Sequence, residues 1–161
     1  MNEQKIAIIK SVLRGDVKKL KDYLQNGNSP DVVLGEAFDF HFGWDKGAPL
    51  GPNLLYLSAI SKNAEEMVSL LLAAGADPSG KWVYSYEWDA EDCYMYVHDI
   101  SLLRSLEEIY TGQTKYHDRL FTDGLTKEQI FLLQEHNIIY ANNHLPVYEN
   151  SPQVLDLFRE P

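Results

Sequence analysis

The chain has 161 residues, is 45% hydrophobic and 12% aromatic, and carries a formal net charge of −10. One domain with a real apolar core is expected at this length and composition. The charge argues against direct binding to nucleic acid or to an anionic membrane, since phosphate would be repelled, and it favours a basic protein partner.

No apolar run is long enough for a membrane-spanning helix. The opening MNEQKIAIIK lacks the basic, apolar, small-residue order of a secretory signal. The lone Cys93 has no partner for an internal disulfide, which suits a reducing cytoplasm, and no histidine stands at zinc-like spacing from it. A cytoplasmic location is the expectation, with no cofactor and no bound metal.

Residues 3–30 read as a helical hairpin. Ile6, Ile9 and Leu13 line one helix and Val17, Leu20 and Leu24 the next, with Gly27 as terminator. Lys5, Lys10, Lys18, Lys19 and Lys21 give it a polar outer face, as the first unit of a stack requires. Arg14-Gly15-Asp16 falls in the inter-helix turn and is read as a turn, because a tripeptide carries almost no specificity.

An insertion over 31–52 follows. Ala37–Asp45 alternates strictly, with Phe38, Phe40, Phe42 and Trp44 on one side and Asp39, His41 and Asp45 on the other. That period predicts a strand with one buried face.

Residues 53–78 form the second helical hairpin. Met67, Leu70 and Leu71 fall at helical spacing, and Val68 and Leu72 widen the apolar face. Asn63 is expected to cap the second helix, with Glu66 as its capping-box partner, and Gly75 to end it before Asp77-Pro78. Gly15–Leu20 aligns with Asn63–Val68 without a gap, and Gly27 with Gly75.

A second insertion spans 79–99. Trp82–Trp88, then Asp89-Ala90-Glu91-Asp92, then Cys93–His98 read as a β-hairpin with an acidic tip. Strict alternation would place Trp82, Tyr84, Tyr86 and Trp88 on one face, and Tyr94 and Tyr96 together on another. Cys93 is expected as a small core filler in an aromatic strand.

Beyond it, Ile100, Leu103, Leu106 and Tyr110 mark a helix over Ile100–Tyr110, and Gly112–Gly124 reads as a polar loop. Leu125–Asn137 is a second helix, opened by a Thr126–Gln129 capping box and carrying Ile130, Leu132 and Leu133. Together, 100–137 reads as a third, degraded hairpin. A final short helix within 145–161, capped by Ser151 with Pro152 at its first position, carries Val154, Leu155 and Phe158 and is expected to cover the end of the stack.

Leu54-Leu55-Tyr56-Leu57-Ser58-Ala59-Ile60, Glu66–Leu72 and Gly75-Ala76-Asp77 resemble the first helix, second helix and terminator of an ankyrin repeat. The threonine and proline of that family's first motif are missing, and Tyr56 and Leu57 replace its usual leucine and histidine. Gly27 and Gly75 lie 48 residues apart, against a family period of about 33, so the insertions stand where the family has its β-turn fingers. The resemblance implies a mainly α, short ankyrin-like solenoid in one domain, with enlarged β-fingers, that binds other proteins and catalyses nothing.

Acid is segregated onto the insertions. Asp31–Asp45 carries a charge of −4 with no Lys or Arg, and Trp82–Asp99 carries −5, nearly the whole net charge. Aromatics set among charges of one sign suggest a protein-binding surface. The candidate contacts on the first insertion are Asp39, His41, Trp44 and Asp45. On the second they are Tyr84, Tyr86, Glu87, Trp88, Asp89, Glu91, Asp92, Tyr94 and Tyr96.

Catalytic signatures are weak. His98-Asp99 and His117-Asp118, with His41, can only be forced into the pattern of a metal-dependent phosphohydrolase. No serine, nor Cys93, sits in a nucleophile-elbow context, and no glycine loop cradles phosphate. Small acidic chains with idiosyncratic insertions resemble immunity proteins of bacterial toxin systems, some of them ankyrin-like. That resemblance implies an inhibitor covering a basic toxin or nuclease domain. The alternative is a general ankyrin-type adaptor or scaffold.

Overall fold

Helix α1, Glu3–Leu13, begins at Asn2, whose side chain accepts a hydrogen bond from the Lys5 amide at 3.1 Å. Ile6, Ile9 and Val12 of α1 are buried. The computed structural model describes residues 2–40, 51–110 and 125–159, with the backbone alone for 84–88 and 94–99. The described fold is mainly α-helical, with a two-stranded antiparallel sheet.

Gly15 ends α1 at φ +72°, a left-handed conformation that a side chain disfavours. The Gly15 and Asp16 amides then donate to the carbonyls of Val12 and Ser11. Asp16 in turn starts α2, Val17–Gln25, by accepting from the Lys19 amide at 3.1 Å. Leu20 of α2 is fully buried.

The strand expected over Ala37–Asp45 is not what forms at its start. Leu34–Ala37 is a single helical turn, α3. Asp39 follows at φ +60°, and the amides of Asp39 and Phe40 donate to the carbonyls of Glu36 and Gly35. This is a helix terminator with Asp39 in the usual glycine position. Phe38 and Phe40 are still both buried, with ring centroids 5.5 Å apart, while Asp39 is exposed. A left-handed residue between two aromatics yields the same in-out-in pattern as a strand. The remainder, residues 41–45, lies outside the described residues.

Helix α4, Leu54–Ala59, is buried along its whole length. Its apolar sequence suits it to the centre of the core, where it packs against α1, α5 and α6. Asn53 caps it, accepting from the Tyr56 amide at 3.0 Å. Helix α5, Ala64–Ala73, buries Met67, Val68 and Leu71 and packs on α2 as well as α4. Side chains buried this completely contribute about 1.5–3 kcal/mol each. Gly75 closes α5 at φ +95°, with its amide and that of Ala76 donating to the carbonyls of Leu72 and Leu71.

Asn63 departs from expectation. It is left-handed, at φ 63°, and makes no side-chain cap. Its amide nitrogen instead donates to the Gly15 carbonyl at 2.9 Å, joining the two hairpins.

Strand β1, Lys81–Asp89, pairs antiparallel with β2, Tyr94–Ser101. The register breaks between Val83, opposite Asp99, and Ser85, opposite His98, which leaves Tyr84 as an extra residue. The bulge removes Tyr86 and Trp88 from the alternation that contains Trp82, so the four aromatics do not share one period-two row. β2 also extends to Ser101, so α6 is Leu102–Tyr110 and begins two residues later than the spacing of Ile100 suggested. Its first amide, on Leu102, donates to the Gly80 carbonyl at 2.9 Å and closes the base of the hairpin.

Helix α7, Lys127–Glu135, opens with both bonds of the Thr126–Gln129 capping box, at 3.2 and 3.0 Å. Asn137 ends it at φ +60°. The His136 ring meets Phe38 edge-on at 5.5 Å, so the end of α7 lies against the end of α3.

The C-terminal residues form a 3-10 turn, Pro152–Leu155, and a short helix α8, Asp156–Arg159, with Ser151 capping the turn. Val154, Leu155 and Phe158 are buried. The turn packs on α6 and α8 packs on α5. Hydrogen bonds fasten this segment to the end of α4. The Tyr148 amide donates to the Ile60 carbonyl at 2.7 Å, and Asn150 Nδ2 to the Ala59 and Ser61 carbonyls at 3.2 and 2.9 Å. Tyr110 Oη donates to the same Ala59 carbonyl at 2.7 Å.

Candidate partner-binding surface

The β1–β2 tip is built on Asp89. Its Oδ1 accepts hydrogen bonds from the amides of Glu91 and Asp92, at 3.0 and 3.2 Å. Such a turn uses one carboxylate as scaffold and sends the chain back through the left-handed Cys93, at φ +51°. Ala90, Glu91, Asp92 and Cys93 are all exposed, and Asp89 is partly buried. Cys93 is therefore a turn residue in solvent and not the core filler its aromatic neighbours suggested. Glu91 and Asp92 present their charges at the far end of the ribbon.

The other hairpin candidates are placed by register. Tyr84 occupies the bulge, and Tyr86 and Trp88 pair with Val97 and Met95. Glu87 pairs with Tyr96 and Asp89 with Tyr94. Acidic and tyrosine positions thus face each other across the ladder next to the tip.

On the first insertion, Asp39 is exposed at the terminator of α3. His41, Trp44 and Asp45 lie outside the described residues. Asp31 and Glu36 are exposed. The two insertions adjoin at their bases. The Gly51 amide donates to the Val83 carbonyl at 3.2 Å; beside this bond, the amide of Asp77, just ahead of the second insertion, donates to Asp31 Oδ1 at 3.1 Å, and Val33 bridges to Asn53 across the base of the first. Among the described residues, ion pairs join Lys19 to Asp16, Arg104 to Glu108, and Arg159 to Glu107 and Asp156. None reaches Asp31, Glu36, Glu91 or Asp92.

Between the two bases lies a cleft of about 210 Å³, lined by Asp31, Val33, Asn53, Asp77, Trp82 and Leu102, among others. The aspartates are exposed and stand at its mouth, while Trp82 and Leu102 are buried and form its floor. Hydrogen bonds from the Ser79 hydroxyl, at 2.6 Å, and the Ser79 amide, at 2.9 Å, hold the Asp77 carboxyl below the usual carboxylate range. Sequence reasoning passed over this cleft. Asp31 was one acidic residue among several and Asp77 part of a helix terminator, and only the return of the chain after the insertion brings them together.

Among the described residues, no group of three or more His, Cys, Asp and Glu side chains is placed to hold a metal ion. No described helix is long and apolar enough to cross a membrane. Comparison with family models, with curated proteins and with solved structures gives no match for the chain.

Proposed function

We propose that this chain is a protein-binding module whose two acidic insertions dock onto a basic protein, most specifically an immunity-type inhibitor that occludes a toxin or nuclease. The observation carrying this reading is the hairpin tip. Asp89 is committed to holding the turn, which leaves Glu91 and Asp92 exposed, and no described lysine or arginine pairs with them. Carboxylates left uncompensated on a projecting ribbon raise the association rate with a cationic surface more than they raise stability. The adjoining bases of the insertions support a single continuous surface.

The test is co-purification with the product of the adjacent gene, followed by kinetics at several salt concentrations. An inhibitor is expected to bind at nanomolar affinity, to abolish its partner's activity, and to lose on-rate steeply with salt. Binding that leaves the partner's activity intact and responds little to salt would instead identify an adaptor.

A further inference from the structure

The β1–β2 ribbon has one long uncovered edge. At its base the Leu102 amide donates to the Gly80 carbonyl, which makes 80 and 102 a hydrogen-bonded pair. Along each strand of an antiparallel ladder, residues then alternate between turning their main-chain groups inward and outward. The groups of Lys81 and Ser101, and those of Val83 and Asp99, are therefore turned outward. The Val83 carbonyl fits this, since it accepts from the Gly51 amide outside the ribbon. On β2 the outward set is Met95, Val97, Asp99 and Ser101, each with a main-chain donor and acceptor. Among the described residues, no third strand meets this edge and no main-chain bond reaches it from outside.

The two edges differ in protection. Proteins blunt an exposed edge with a bulge, a lysine, a proline or a covering segment. β1 has the bulge at Tyr84, Lys81 at its start, and Gly51 across it at Val83. β2 has no bulge, lysine or proline, and its Tyr94, Tyr96, Val97 and Ile100 are strong strand formers. We infer that the outer edge of β2 takes a third strand, an extended segment of the protein partner rich in lysine or arginine, an assignment that rests on the protein-binding reading above. Charge selects this occupant. Trp82–Asp99 carries −5 with no Lys or Arg, and Asp99 lies in the outward set itself. A second copy of the chain would bring the same sign to the ladder, whereas a lysine or arginine opposite Asp99 makes a favourable cross-strand pair. Main-chain bonds hold such a segment, and a two-stranded ribbon, marginal alone, gains the strand that steadies it.

The experiment is amide hydrogen exchange of the full chain, read by NMR, with a blocked octapeptide of alternating valine and lysine and, beside it, the same peptide with glutamate in place of lysine. With the cationic peptide at about ten times its dissociation constant, exchange at Met95, Val97 and Asp99 is expected to slow roughly tenfold. Tyr96 and His98, whose amides already serve the ladder, are expected to change little, and the glutamate peptide to have no effect. Val97→Pro removes an outward donor and no ladder bond, so the variant is expected to fold and to lose the peptide. Equal slowing by both peptides, slowing that is absent or uniform along β2, or undiminished binding by Val97→Pro would overturn the assignment. If that variant does not fold, the alternation of protection in the native chain decides the matter. A protein partner that binds without protecting these amides would overturn the edge and spare the function proposed above. Peptide addition at the edge, with no basic protein recovered by co-purification, would do the reverse.

Discussion

Asn63 Nδ2 lies 2.9 Å from the carbonyl oxygen of Gly15, and the two residues stand in the inter-helix turns of successive helical hairpins. Both are left-handed, at φ +63° and +72°. The bond links the two inter-helix turns directly, where α1–α2 meets α4–α5. A β-carbon on Gly15 would come within 2.5 Å of the Lys62 carbonyl oxygen, so this close approach also demands a glycine.

Gly15→Ala is expected to destabilise the chain by about 2–4 kcal/mol, combining left-handed strain with the clash. Asn63→Gly keeps the backbone geometry at ease and removes only the bond, for a loss of about 1 kcal/mol. Asn63→Ala should cost more than Asn63→Gly. Urea unfolding midpoints give the order, and equal midpoints for the two Asn63 variants would show that the left-handed backbone carries no penalty.

Leu71 is fully buried in α5, and Leu71→Ala is expected to cost about 2–5 kcal/mol. Equilibrium unfolding measures it directly. A loss under 1 kcal/mol would mean that α5 does not pack as described.

Charge at the tip can be altered without dismantling it. Glu91→Lys with Asp92→Lys leaves the Asp89 turn intact and is expected to slow association with a basic partner by about tenfold at low salt, with little change in melting temperature. Asp89→Ala should instead loosen the turn, seen as faster amide exchange at Glu91 and Asp92. Stopped-flow association rates separate these effects. An unchanged rate for the double reversal removes the tip from the interface.

Tyr110 titrates late. Its phenol is pushed up to about 12 from an ordinary 10.0, chiefly by burial, while Asn150 beside it acts in the opposite direction. The folded chain therefore keeps this proton at a pH where the unfolded chain has lost it. The resulting stability is complete below pH 10 and declines as pH rises towards about 12. Tyr110→Phe is expected to flatten that alkaline decline. Unfolding followed at several pH values checks it, with tyrosinate absorbance reporting the titration.

Cys93 stands exposed in the tip turn, so a thiol reagent should modify the native chain nearly as fast as the unfolded one. A bound partner covering the tip should slow that reaction. Protection in the free chain would contradict the exposed turn.

Much of the helical framework was legible because its punctuation is local. Gly27, Gly75, the Thr126–Gln129 box and Ser151-Pro152 each act within one turn of chain. The misreadings share a cause too. Asparagine favours both an N-cap and a left-handed turn, and only the neighbouring hairpin decided which Asn63 adopts. Phe38-Asp39-Phe40 is too short to separate a strand from a terminator, since both bury the outer pair. The extra residue in β1 has no sequence mark at all, because a bulge arises from how two strands meet. The Asp31–Asp77 cleft depends on contacts 46 residues apart, beyond the reach of any pattern along the chain.

The Ala59 carbonyl accepts from both Tyr110 and Asn150, and with Ile60 and Ser61 it anchors a segment made long after α4. During synthesis, the greasy flanks of α5 and α6 stay uncovered until Phe158 has left the ribosome. A chain stripped of this segment would keep those flanks in water and would stick to its own kind.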